Sequence, residues 1–144
     1  MKTLGLSQKS SPASLHQLMF VLQQSADELL VSHTGVGLSQ VRIMSALDKL
    51  APQSQRAIAS QLKQTEANVS RQLKAMKKQG LVSVRLSKKD RRQREVVLTS
   101  KGSRAYDKAY RLLAAQQKGY LRLLSGADAK TFNHAINNLL KTLV

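Results

Sequence analysis

The apolar spacing of this chain changes character at Gly80, and that change constrains the fold more than any other feature. Before it, Val69, Leu73 and Met76 recur three and four apart; after it, Val82, Val84 and Leu86 alternate with Ser83 and Arg85, and Val96 and Leu98 alternate with Val97 and Thr99. A period near 3.6 marks one buried stripe on a helix, and a period of two marks one buried face of a strand. A helix must therefore stop near Gly80, whose missing Cβ suits the left-handed position beyond a helix C-terminus. Two short strands then flank a tip at residues 87–93, which makes a hairpin.

Upstream of Gly80 two capping residues divide the chain. Ser54 can cap a short helix bearing Ile58, Ala59 and Leu62, and Thr65 can cap a second that runs to about Gln79. The pair reads as a helix-turn-helix. With about 100° per residue, Arg71, Lys74 and Lys78 fall on the side of the second helix opposite Val69, so its cations face away from the core.

Charge follows the same stretch. From Ser54 to Arg104 there are fourteen Lys or Arg against Glu66, Asp90 and Glu95, a net +11 of the chain's +16. Six of the ten residues from Arg85 to Arg94 are basic, a repulsive arrangement unless an anion arrives. Cations gathered beside a reading helix are the footprint of a double-stranded DNA partner, because they displace the counterions condensed on the polyanion. None of the five aromatic residues, Phe20, Tyr106, Tyr110, Tyr120 and Phe132, lies in this stretch, which argues against base stacking on single strands.

The flanks read as its mounting. Residues 1–14 form a loose arm. Leu15, Leu18, Met19, Leu22, Ala26, Leu29 and Leu30 then make one helical stripe, ended by Gly35 and Gly37. Ser39 is the expected cap of a helix carrying Val41, Met44, Leu47 and Leu50, which Ala51-Pro52 ends. From Ser100 a helix bears Tyr106, Tyr110, Leu113, Tyr120 and Leu124, interrupted at Gln117 and Gly119, and the tyrosines are read as helix packing. Ser125-Gly126-Ala127-Asp128 fits a capping box before a last stripe of Phe132, Ile136, Leu139, Leu140 and Leu143.

Other chemistries find little support. The chain has no Cys, which removes disulfides, thiol redox sensing and Cys-ligated zinc. His16, His33 and His134 are scattered and are read as surface or partly buried residues, with no metal and no cofactor expected. The acidic residues form no acid/base dyad and no serine sits in an elbow motif, so an enzyme is not expected. No apolar run approaches the ~18 residues of a membrane span, and the N-terminus lacks a signal-peptide core; the expected address is the cytoplasm, with no membrane partner.

From Leu15 to Leu143 the chain resembles the MarR (multiple antibiotic resistance regulator) family of winged-helix transcription regulators. The residues that carry the resemblance are Ile58-Ala59 with Leu62, then Val69-Ser70-Arg71 with Leu73 and Met76, and the helix exit Lys78-Gln79-Gly80-Leu81-Val82. More specific are Asp90-Arg91-Arg92, followed by Val96, Leu98-Thr99 and Gly102, in the order and spacing of the family's D-x-R wing and L-T-x-x-G strand exit. Leu123-Leu124-Ser125-Gly126 with Leu139 and Leu140 is similar to the family's C-terminal dimerisation helix. Val84, where many relatives have Arg, and Ala127, where Leu is usual, depart from the pattern.

The expectation is a single MarR-type domain over residues 1–144, mainly α with a small β-hairpin wing. A winged helix-turn-helix at 38–102 is flanked by dimerisation helices at 15–32 and 103–144. The resemblance implies a homodimer that binds a pseudo-palindromic operator and usually represses, and in the family a small anionic or phenolic effector often relieves repression; the sequence marks no residues for one. The DNA-binding residues are expected to be Asn68, Ser70, Arg71, Lys74, Lys78, Lys88, Lys89, Arg91, Arg92 and Arg94. Asp90 is expected to orient the wing through Arg92, and a local salt bridge between these two is compatible with that role. The competing readings are an architectural, sequence-tolerant DNA-binding protein and a basic module for a membrane surface or a protein partner.

Overall fold

The computed structural model of the chain describes residues 11–144. Six helices and three short strands follow in the order α1 (Pro12–Thr34), α2 (Leu38–Lys49), β1 (Gln53–Ser54), α3 (Gln55–Leu62), α4 (Glu66–Lys78), β2 (Val82–Leu86), β3 (Arg94–Leu98), α5 (Ser100–Leu121) and α6 (Gly126–Leu143). This is the mainly α winged helix-turn-helix that the spacing predicts. The hairpin strands pair from Val82 with Leu98 to Leu86 with Arg94.

The structure departs from the sequence reading at several places, each for a local reason. Residues 1–10 of the expected arm lie outside the described residues, but Pro12, Ala13 and Ser14 form the first turn of α1. Ser11 accepts the N–H of Ala13 at 3.2 Å and Pro12 arrives with its φ preset for a helix. Ser39 does not cap α2: it lies inside the helix, and the carboxylate of Asp27 reaches across from α1 to accept the N–H of Leu38 at 2.7 Å. Gly119 does not interrupt α5, which runs on to Leu121. Its neighbours hold that turn, since Tyr120 Oη and Ser25 Oγ are 2.9 Å apart and Gln116 Nε2 donates to Ser25 Oγ at 3.1 Å. Finally, Gln53 and Ser54 add a third strand, pairing with Val96 and Glu95, so the sheet order is β1-β3-β2 with β3 in the middle.

The core joins the mounting to the module. Leu30 of α1, Ile43, Met44 and Leu47 of α2, Ile58 of α3, Val69 and Met76 of α4 and Val96 of β3 are buried, with Ala109 of α5 and half-buried Tyr106 and Leu113 packed on them. Tyr110 does not share this packing and is exposed. Burying side chains of this size contributes about 1.5–3 kcal/mol each. Gln53 is buried as well, and its Nε2 donates to the carbonyls of Ala46 and Leu50, tying the end of α2 to the sheet. The helices at the two ends are different. In α6 no residue is buried, and Leu139, Leu140 and Leu143 stand 54–71% exposed, as do Leu15, Leu18, Met19 and Phe20 of α1 at 44–64%.

Candidate nucleic-acid interface

The reading helix is placed by caps at both ends. Thr65 Oγ1 accepts the N–H of Asn68 at 3.2 Å, and Ser54 Oγ does the same for Ala57 at 3.1 Å at the start of α3. Between the two helices the chain turns at Lys63, a non-glycine residue at φ 52°, ψ 43°. The exit is closed by Gly80 at φ 72°: its N–H reaches Lys77 O at 3.0 Å and that of Leu81 reaches Met76 O at 2.9 Å, the paired bonds of a Schellman motif. The first turn of α5 then covers the freed carbonyls, with Lys101 Nζ donating to Gln79 O at 2.7 Å and Thr99 N to Leu81 O at 3.0 Å.

With its ends fixed, α4 buries Val69, Leu73 and Met76 and exposes Arg71, Lys74, Lys77 and Lys78. Asn68 and Ser70 are half-buried at its flanks. A groove runs between this helix and the sheet, floored by Leu73, Val84 and Val96 and rimmed by Lys74, Lys77 and Arg94, with Ser70 on its α4 wall. Lys77 was not among the residues expected at this surface, because a position three removed from Lys74 stands out only once the strand it faces is known.

The wing tip is built from backbone bonds around one buried residue. Ser87 Oγ accepts the N–H groups of Lys89 and Asp90 at 3.2 and 3.3 Å, and its own N–H donates to Gln93 O at 2.8 Å. Asp90 Oδ1 accepts the backbone N–H of Arg92 at 3.0 Å. The carboxylate thus orders the main chain of Arg92, and among the described residues no ion pair joins it to the Arg92 guanidinium. Lys88, Lys89, Arg91, Arg92 and Arg94 all stand exposed. Sequence reasoning missed Ser87, although a serine three residues before an Asp at a strand end is a recognisable turn signal.

The cations of this face are left without carboxylate partners. Among the described residues two ion pairs occur, Arg56 with Glu66 at 3.9 Å and Arg85 with Glu95 at 3.7 Å, and neither involves the exposed face of α4 or the wing tip. The second pair lies across β2 and β3, whose register sets Arg85 opposite Glu95. Like charges gathered without counterions raise the local potential by several kT and favour an arriving polyanion. Among the described residues no group of three His, Asp or Glu is close enough to hold a metal ion, and no helix is long and apolar enough to cross a membrane.

Comparison with known proteins agrees with this geometry. Residues 34–93 match the MarR family. Among solved structures, the transcriptional repressor CouR bound to a 23-mer DNA duplex superposes with a TM-score of 0.79 at 23% identity, covering 99% of this chain and 98% of its own. Wild-type MarR from E. coli gives 0.77 at 18% identity over 92% of this chain and 99% of its own. MepR of S. aureus, a transcription regulator of the multidrug efflux pump MepA, gives 0.75 at 17% over 94% and 100%. No curated protein matches in sequence. The resemblance is borne out over residues 34–93, which hold the reading helix and the Asp90-Arg91-Arg92 of the wing but not the strand exit, and the fold over nearly the whole chain.

Proposed function

We propose that this chain, which carries a MarR-family winged helix over residues 34–93, is a sequence-specific DNA-binding transcription regulator that acts as a homodimer. The observation that carries the reading is the unpaired cationic face shared by α4 and the wing. Arg71, Lys74 and Lys78 point outward from a helix with both ends fixed, and Lys88, Lys89, Arg91 and Arg92 extend the charge beyond it. Asn68, Ser70 and Arg71 sit early in α4, where side chains of a reading helix meet base edges in the major groove. The wing cations and Arg94 are the backbone and minor-groove contacts, with Asp90 shaping the loop that presents them.

The homodimer is supported by the exposed apolar residues of α1 and α6, which find no cover among the described residues. A two-fold dimer presents two reading helices and so selects a pseudo-palindromic site. Repression in the cytoplasm, relieved by a small anionic or phenolic effector, is the working mode carried over from the family. The solved structure of CouR, a transcriptional repressor bound to DNA, supports the same reading.

The test is selection of bound sequences from random duplex DNA, followed by titration on the selected and a scrambled duplex at stated salt. A regulator is expected to select a two-fold symmetric site and to prefer it by roughly 10³-fold or more. Equal affinity for both duplexes supports the architectural, sequence-tolerant reading instead.

A further inference from the structure

Three side-chain amides form a ladder along one flank of the reading helix. Gln64, in the turn just before the Thr65 cap, accepts at Oε1 from Asn68 Nδ2 at 3.0 Å and from Gln72 Nε2 at 3.2 Å. A carbonyl oxygen has two lone pairs, so this one is filled. Turned around alone, the Gln64 amide would set its NH₂ against two other donors, so the three amides share one direction. Gln64 itself is held at the backbone, its N–H reaching Ala59 O at 2.9 Å past the left-handed Lys63.

Asn68 is the residue on which this arrangement acts. It is the third residue of α4, half-buried, and its Nδ2 is engaged by Gln64. Its Oδ1 has no hydrogen-bond partner among the described residues and is not fully buried. Gln72 holds the other side of the ladder at a cost, since its Oε1 is buried without a partner among the described residues. Left alone, Asn68 would sample several rotamers in the free protein and lose that freedom on binding.

We infer that Gln64, braced by Gln72, is a positioning residue that holds the Asn68 amide with its oxygen outward for one base edge, selecting a base with an exocyclic amino donor in the major groove. Adenine N6 and cytosine N4 are the two such donors. This inference rests on the DNA-reading function proposed above. It assigns specificity to a residue that need touch no base.

The experiment uses the full chain, a duplex selected by it from random-sequence DNA, single-base variants of that duplex and a scrambled duplex. Gln64→Leu removes the acceptor, and Gln64→Met does so with a flexible side chain should the first variant unfold. The expected result is a loss of about tenfold or more in discrimination at one symmetric pair of positions, with affinity for the scrambled duplex unchanged. Asn68→Ala should relax the same pair, and the double variant should be no worse than either single one. Gln64→Glu keeps the acceptor oxygens and adds a negative charge, so it should weaken binding to all duplexes by similar factors while retaining the base preference. If Gln64→Glu changes the preferred base, Gln64 contacts that base directly and the positioning role is overturned. The role is equally overturned if removing the acceptor weakens all duplexes alike or leaves discrimination intact. If the unmodified chain selects no sequence at all, the DNA-reading function fails first and this inference falls with it.

Discussion

Gly102 in the first turn of α5 faces the carbonyl of Leu81 so closely that a Cβ there would lie 2.0 Å from Leu81 O and 3.2 Å from Leu98 Cδ2. The same carbonyl accepts the N–H of Thr99, whose Oγ1 accepts the N–H of Gly102 at 3.0 Å. The strand exit and the helix exit are thus pressed together backbone to backbone. Gly102→Ala is expected to destabilise the fold by about 2 kcal/mol or more, since backbone must move to admit the methyl. Chemical denaturation of the two proteins measures this; an unchanged midpoint would show that the contact is looser than described.

Lys63 holds φ 52° and ψ 43°, a conformation that costs an L-residue with a Cβ about 1–2 kcal/mol. Lys63→Gly removes that cost and adds some unfolded-state entropy, for a net gain of about 0.5–1 kcal/mol. A rise in the urea midpoint at constant slope is the expected outcome. A lower midpoint would mean that the lysine side chain contributes packing worth more than the strain.

Legibility in the sequence followed locality. The caps at Ser54, Thr65 and Ser125 were readable because a cap needs only the next three residues, and the structure shows each accepting the expected N–H, Ser125 from Asp128 at 3.1 Å. Asp27 was not readable as the cap of α2, because it acts from another helix and Ser39 offered a nearer decoy. Strand β1 escaped because two residues have no period, and its pairing with Val96 is visible only after folding. Gly119 misled for a related reason: its propensity cost of about 1 kcal/mol is outweighed by tertiary contacts of the neighbouring turn. At the candidate interface the exposed row of α4 follows from helix period alone, whereas the amide ladder of Gln64, Asn68 and Gln72 depends on rotamers that spacing does not specify.

Arg71 and Arg92 are expected to fail differently when removed. Arg71→Ala should cost about 1–3 kcal/mol on the selected duplex and relax the preference at one symmetric pair of bases, as for a lost base contact. Arg92→Ala should weaken selected and scrambled duplexes more evenly and lower the salt dependence by up to about one counterion per subunit. Salt titrations on both duplexes separate the two. The reverse pattern would exchange the roles of helix and wing.

Removing residues 125–144 takes away α6, a helix with no buried residue and a row of exposed leucines. The shortened chain is expected to sediment as a monomer or aggregate and to lose binding to the selected duplex, because half a two-fold reader loses the effective concentration of its second half. A soluble truncated chain with unchanged affinity would place the dimer contact elsewhere.

Ser54 belongs to two elements at once. Its main chain pairs with Glu95 of the central strand, and its hydroxyl closes the first turn of α3. A load applied at the wing tip, as when a duplex is bent against it, therefore runs down β3 into the base of the helix-turn-helix and meets no free hinge on the way. For the DNA-reading function proposed above, the spacing between the paired stem of the wing and the reading helix is then a fixed gauge against which groove width is read.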